Sequence, residues 1–215
     1  MHFDRVLKRL ADLPMPLPAA PDGLDPRILG TVADPIAGPG SGWPSGTRDA
    51  AALVLLYPDI HRETHVVLIE RPAGPHVHAG QVALPGGKRD AGDDFPEGTA
   101  LREAAEEVGL DRVAARVTTL GLLDAVDVRV SGHLMVPVLA TAPQAPCLVP
   151  DEREVARLLR VPLRHFLPDA PIEQIEDVRD GWRLRYGAYR VGDLRVWGAT
   201  ARVLGQLGAV LGRER

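Results

Sequence analysis

GGKRDAGDDFPEGTALREAAEEVGL, residues 86–110, carries the reading of this chain: a double glycine, a loop holding Asp93 and Asp94, and then a stretch with helical periodicity. At about 100° per residue, Leu101, Ala104, Ala105 and Val108 fall on one arc, and Glu103, Glu106 and Glu107 fall on the opposite side. The pattern predicts a helix that lays a small-residue face on a sheet and presents carboxylates from a rigid element. Gly109 is positioned to end it as the left-handed residue after the last turn. Gly86 and Gly87 are expected to adopt backbone conformations closed to other residues, with Pro85 stiffening the approach. Asp93 and Asp94 are expected to cap or charge-complement the helix start.

The charge pattern works against the bare helix. Glu103 and Glu107 are a like-charged i,i+4 pair, which costs an isolated helix roughly 0.2–0.5 kcal/mol. A bound divalent cation reverses that sign, and hard cations such as Mg²⁺ take one or two carboxylates together with substrate phosphates. Arg102, four residues before Glu106, is expected to hold Glu106 by a salt bridge and leave Glu103 and Glu107 for metal. Taken alone, a charged helix of this kind is usually a solvated face; the glycine turn and acidic loop before it argue for a site.

Working outward, "AALVLLY" and "HVVLIER" are short β-branched and leucine-rich runs split by "PDIHRET", which predicts neighbouring antiparallel strands. "VTTLGLLDA" and "HLMVPVLAT" predict two more strands, and "EVARLLRVPLRHFL" a strand running into a helix. "WRLRYGAYRV" reads as a hairpin and "VWGATARVLGQLGAVL" as a closing helix. The order lacks the regular alternation of a doubly wound fold, so the class is α/β with a mixed sheet. Upstream, Phe3, Val6, Leu7, Leu10 and Ala11 predict a short amphipathic helix over residues 2–13, a packing or dimer element rather than a membrane anchor. From Pro14 to Pro44 eight prolines rule out a helix or a central strand, leaving an extended arm over the domain or a partly disordered one. The expected division is residues 1–47 as helix and arm, and 48–215 as the core domain.

A net charge of −4 provides no field that would collect DNA, RNA or an anionic membrane, so a polyanionic ligand must be met locally. No apolar run approaches the roughly 20 residues of a membrane span. The single cysteine, Cys147, excludes a disulfide framework or thiol cage, suits a reducing cytoplasm, and reads as a small apolar residue.

Arg102-Glu103-Ala104-Ala105-Glu106-Glu107-Val108-Gly109-Leu110 resembles the second half of the Nudix hydrolase box, G-x5-E-x7-R-E-U-x-E-E-x-G-U, with Ala104 small for its bulky apolar position U. In the first half, Asp93 stands where the box has Glu, and eight residues rather than seven separate it from Arg102. That form, together with "HAGQVALPGGKRDAGD", is similar to the coenzyme A pyrophosphatase branch, with His78, Gly80, Gln81, Pro85, Gly86 and Gly87 in register. "VPVLA", "EREVARLLRVPLRHFL" and "VWGATARVL" extend the resemblance over roughly residues 48 to 211. Pro75 and His76 depart from the branch, which usually shows a leucine and a basic residue there.

The resemblance implies a Nudix-type α/β/α sandwich and hydrolysis of a nucleoside diphosphate linked to another moiety, using Mg²⁺ or Mn²⁺. A diphosphate repels a nucleophile, so the reaction needs cations on its oxygens and a positioned water. Glu103 and Glu107 are the expected metal ligands, with the Gly87 carbonyl a third. Glu106 completes the metal set or orients the water, and Arg102 supports it. The general base comes either from the box or from a carboxylate on a distant loop, where Glu154 and Glu152 are the candidates; the alternative for both is a solvated loop acid. Arg71 and Lys88 are candidates for phosphate or for surface ion pairs. His78 is expected to stabilise its loop, Gln81 to buttress the glycine turn, and Trp197 to be core; His76 and His78 alone fall short of a metal site. The expected substrate is a small CoA-like nucleotide, in a cytoplasmic enzyme with neither nucleic-acid nor membrane partners and with a homodimer open. ADP-ribose, NADH or oxidised nucleoside triphosphates are the alternative substrates, and a non-catalytic nucleotide-binding regulator is the alternative from another class.

Overall fold

In a computed structural model, residues 1–31, 48–75, 78–128, 131–179 and 181–213 are described. His76 and the second part of the proline-rich arm lie outside them.

The chain begins with α1 (Phe3–Leu10) and β1 (Arg27–Thr31), followed by the long β2 (Arg48–Pro58) and β3 (Thr64–Glu70). Two short strands, β4 (Val82–Ala83) and β5 (Gly86–Lys88), lead into α2 (Glu97–Val108). Next come β6 (Thr118–Leu122), β7 (Val126–Val128), β8 (His133–Thr141) and β9 (Arg157–Pro162), which runs into a 3₁₀ turn at Leu163–Phe166. The strands β10 (Ile172–Arg179), β11 (Trp182–Val191) and β12 (Leu194–Trp197) precede the closing helix α3 (Gly198–Gly212).

The large sheet runs β4-β3-β2-β8-β6, with β9 on β3, β5 on β2 and β7 on β8. It is mixed: β2 and β8 pair in parallel from Arg48 opposite His133 to Leu56 opposite Thr141, while the other ladders are antiparallel. A strand covered on both sides reads as a continuous apolar run, and β2 does so because Ala51, Leu53, Leu55 and Tyr57 pack towards α2 while Ala52, Val54 and Leu56 enter the opposite core. That second core holds Phe3, Val6 and Leu10 of α1 and Val203, Leu204 and Leu207 of α3. The result is the expected α/β/α sandwich. A small sheet, β1-β11-β10 with β12 on β11, lies beyond α3.

Three expectations need correction. "WRLRYGAYRV" is one continuous strand, β11; its hairpin partners are β10, with Arg179 opposite Trp182, and β12, beyond the turn at Gly192-Asp193. The first helix stops at Leu10, short of Pro14. Cys147 is exposed rather than packed.

β2 pairs with β3 only at its far end, Leu56–Pro58, and with β5 at Ala50–Ala52. β3 meanwhile takes β4 at Ile69 and Glu70. The segment Val82–Lys88 therefore fills the wedge between two diverging strands, locked by the Leu53 N–H donating to the Pro85 carbonyl at 2.8 Å. This wedge carries Gly86 and Gly87 beneath α2.

Candidate active site

Gly86 and Gly87 serve close approach rather than unusual backbone angles, since neither has a positive φ. A Cβ on Gly86 would stand 2.4 Å from the Ala51 carbonyl oxygen, and one on Gly87 would stand 2.5 Å from the Glu103 carboxylate. The double glycine thus lets a strand press against β2 while α2 lowers its carboxylates onto the strand. Gly109, at φ 63°, does close α2, its N–H reaching the Ala104 and Ala105 carbonyls.

The helical wheel is rotated from the expected one. Ala105 is exposed and Glu107 is buried, 2% accessible, beside Ala104 and Val108. A carboxylate at this depth needs partners. Its Oε2 accepts the Gly86 N–H at 2.9 Å, and its Oε1 lies 3.6 Å from an Arg71 guanidinium nitrogen, which also donates to the Gly86 carbonyl at 3.3 Å. Burial outweighs these contacts and pushes the Glu107 pKa up to about 7; the nearby charges of Glu103 and Glu154 act in the same direction. Glu103, half-buried over Gly87, is also raised, first by desolvation, with Arg102 opposing.

Arg102 is the hub of the acidic loop. Its Nε and Nη2 donate to Asp93 at 3.2 and 3.0 Å, and Nη2 donates to the Lys88 carbonyl at 3.0 Å. The same guanidinium lies 3.1 Å from Glu103 and 2.9 Å from Glu106. Fork-like pairing of this kind is what a guanidinium supplies and an ammonium does not. Asp93 also accepts the Thr99 hydroxyl and the Asp90 N–H, and is held well below the usual carboxylate range, chiefly by Arg102. Asp93 and Asp94 make no side-chain cap on α2, whose first residue is preceded by Pro96. The shifted aspartate instead reaches the box arginine. Arg102 holds Glu106 as expected, but shares itself with Glu103.

Glu154 comes from the far side. Its turn is tied to the end of α2 by the Asp151 N–H donating to the Glu107 carbonyl at 2.9 Å, and to β3 by the Ala156 N–H donating to the Glu70 carbonyl at 2.8 Å. Val155, 2% accessible, anchors it in the core. The structure brings Glu103, Glu106, Arg102 and Gly87 together, with Glu107 on the adjoining Gly86; Glu154, exposed on its turn, lies within electrostatic reach of Glu103 and Glu107. Glu152 is exposed on the same turn, and Lys88 contributes its carbonyl with its side chain exposed. Arg71 faces Glu107. His78 and Gln81 share a hydrogen bond of 3.1 Å, so His78 holds its loop as expected, while Gln81 ties that loop to Arg71, whose N–H its carbonyl accepts, rather than to the glycine turn. Trp197 is half-buried against Tyr186, ring centroids 4.5 Å apart. Sequence reasoning missed Thr99 and Asp151; the only signal for Thr99 was a hydroxyl one turn before Arg102.

The donor set can be tested against a divalent cation. Among the described residues no three His, Cys, Asp or Glu side chains are already gathered as a cage; Glu103 and Glu106 turn to Arg102, and Glu107 to Gly86 and Arg71. The donors are nonetheless all oxygen, and the pKa values of Glu103 and Glu107 are raised first by burial and then by neighbouring carboxylates, Glu106 and Glu154 for Glu103, Glu103 and Glu154 for Glu107. That environment fits Mg²⁺ or Mn²⁺, hard ions whose charge removes the repulsion. Among the described residues no helix is long and apolar enough to cross a membrane.

A model of the NUDIX domain matches residues 47–178. The chain is 36% identical over 160 residues to an uncharacterized Nudix hydrolase, NudL, of Pectobacterium atrosepticum, covering 74% of this chain and 81% of that protein. It is 32% identical over 165 residues to Nudix hydrolase 15, mitochondrial, of Arabidopsis thaliana, covering 73% of this chain and 56% of the plant protein, little more than half of its length. Among solved structures, a Nudix hydrolase from M. Smegmatis, RenU, aligns at 30% identity over 59% of this chain and 82% of that one, with a TM-score of 0.47. With the family domain over more than half of its residues and a relative above 30% identity spanned for four fifths of its length, this chain belongs to the Nudix hydrolase family and is an enzyme of the pyrophosphohydrolase class.

Proposed function

We propose that this enzyme uses Mg²⁺ or Mn²⁺ to cut coenzyme A or its thioesters into adenosine 3′,5′-bisphosphate and a 4′-phosphopantetheine product. The observation that carries the CoA reading is the shifted box made good in space: Asp93, one residue early and one methylene short, still engages Arg102 through two nitrogens at 3.0 and 3.2 Å. The GQVALPGG segment ahead of it supports the same branch.

In this reading Glu103 and Glu107 hold the cation, with the Gly87 carbonyl as a third donor and Glu106 completing the set or orienting the water. The cation, when bound, neutralises charge on the diphosphate oxygens. Arg102 fixes the directions of Glu103 and Glu106. Water forms a new bond to one phosphorus as the bridging P–O bond breaks, and its proton passes to a carboxylate. Glu154 is the candidate base, because its charge is felt by both Glu103 and Glu107. Arg71 orients Glu107 and offsets its charge.

A second reading, turnover of ADP-ribose, NADH or oxidised nucleoside triphosphates, is favoured by the departure at Pro75 and His76, of which Pro75 is exposed on the loop leading to the site. Mass spectrometry of products separates the two: CoA, ADP-ribose, NADH and 8-oxo-dGTP are incubated separately with each metal. Adenosine 3′,5′-bisphosphate appearing fastest supports CoA. AMP from ADP-ribose or NADH, or a monophosphate from 8-oxo-dGTP, appearing faster overturns CoA and keeps the chemistry. Silence with all four, alongside measurable binding, favours a nucleotide-binding regulator.

A further inference from the structure

Among the described residues, burial of the large sheet falls off towards one end. Along β8, Pro137–Thr141 are buried, but His133, Leu134, Met135 and Val136 are only half so. On β2 the parallel partners of this stretch begin at Arg48, opposite His133. Side chains alternate with a period of two. Ala52, Val54 and Leu56 enter the core of α1 and α3, and Met135 and Leu139 touch that same core. Arg48, exposed, and His133, half-buried, therefore stand side by side on that face.

Basic side chains gather around them. The Arg48 guanidinium donates to the Ser131 carbonyl at 2.8 Å, the His133 ring also bonds to Ser131, and neither is paired with a carboxylate among the described residues. Most other arginines near the site are so paired: Arg89 with Asp49, Arg102 with Asp93, Arg157 with Asp193. His78 lies within electrostatic reach of both His133 and Arg71. It holds a φ of 75°, uncommon for a non-glycine residue and a marker of functional constraint. Its Nδ1 faces the Gln81 side-chain oxygen, which makes Nδ1 the protonated nitrogen and leaves Nε2 for another partner. Burial first, and the neighbouring basic groups second, lower the pKa of both imidazoles.

The placement relative to the carboxylates is fixed by β2. Ala51 pairs with Gly87, and Arg48 lies three residues before it, about 10 Å at the rise of a strand; Arg48 faces away from α2, and His78, within electrostatic reach of His133 and of the Arg71 that faces Glu107, links the two sides. That is of the order of a ribose with its substituents. We propose that Arg48 and His133, with His78 beside them, form a phosphate-monoester subsite that takes a phosphate of the nucleotide other than those of the scissile diphosphate. The inference rests on the nucleotide pyrophosphohydrolase reading above and deepens it: it names residues that select a substrate carrying a third phosphate. Guanidinium and imidazole groups in register match a phosphate geometry that a hydroxyl cannot satisfy.

The test compares CoA with dephospho-CoA, which lacks the 3′-phosphate, in wild type, Arg48→Ala, Arg48→Lys and His133→Ala. Wild type should prefer CoA by about tenfold or more in kcat/KM. Either alanine variant should bring that ratio close to one, mainly through KM, with Arg48→Lys in between. A ratio unchanged in both alanine variants overturns the subsite. Should neither substrate be turned over, the CoA reading fails by itself, and titration of each protein with adenosine 3′,5′-bisphosphate and with AMP decides the subsite. Tighter binding of the bisphosphate, lost in Arg48→Ala and His133→Ala, sustains it; equal binding in wild type overturns it.

Discussion

The Oε2 of Glu107 accepts the backbone N–H of Gly86 at 2.9 Å, so a carboxylate of 2% accessibility is fastened to the strand beneath α2. One bond thereby couples the acidic helix to the glycine turn. Glutamine in its place keeps a carbonyl acceptor for Gly86 and removes the negative charge. Glu107→Gln is expected to lower kcat by about a thousandfold with an unchanged far-UV circular dichroism spectrum. Full activity in that variant would remove Glu107 from the site.

The raised pKa of Glu107 also has a stability consequence. Its folded value, about 7, lies above the ordinary carboxylate value, so the folded state favours the proton. The contribution is fully present below about pH 4.5 and is lost as pH rises through 7. At pH 8 the ionised group costs the metal-free fold on the order of 3 kcal/mol. His78 and His133, lowered by burial, act in the opposite sense over the same window. The comparison that isolates Glu107 is the melting temperature of wild type against Glu107→Gln: the variant's advantage should grow from pH 5 to pH 8 without metal. A constant difference would mean that Glu107 does not titrate there.

The two glycines should fail differently. Alanine at Gly86 meets main chain of β2 at 2.4 Å, which cannot yield cheaply, whereas alanine at Gly87 meets the Glu103 carboxylate at 2.5 Å, a side chain that can move. Gly86→Ala is expected to cost about 3 kcal/mol or more in urea unfolding. Gly87→Ala should keep most of its stability and lose about a hundredfold in kcat, since Glu103 is displaced by about an ångström.

Arg102 holds Asp93, Glu103 and Glu106 at once. Arg102→Lys retains charge but not the fork, and should lower kcat by about tenfold to a hundredfold; Arg102→Ala should also cost about 2 kcal/mol, because carboxylates are left facing one another. Chemical denaturation alongside steady-state kinetics checks both. Equal kinetics for the lysine variant would reduce Arg102 to a charge.

Much of this protein was legible in its residues. The apolar runs of β2, β3 and β8, the Gly109 terminus and the three glutamates of α2 are local patterns, set by periodicity and backbone preference. What the sequence could not determine was which carboxylate goes inside. A wheel drawn from hydrophobicity buries Ala105 and exposes Glu107; the fold does the reverse, because Gly86 and Arg71, distant in the chain, arrive with a donor and a charge that make burial tolerable. The same holds for the double glycine, whose need for space exists only once β5 is wedged against β2, and for Arg48 and His133, neighbours only through a parallel ladder that joins strands some eighty residues apart. Local order follows from short-range propensity. The site follows from long-range contacts that settle desolvation, register and charge.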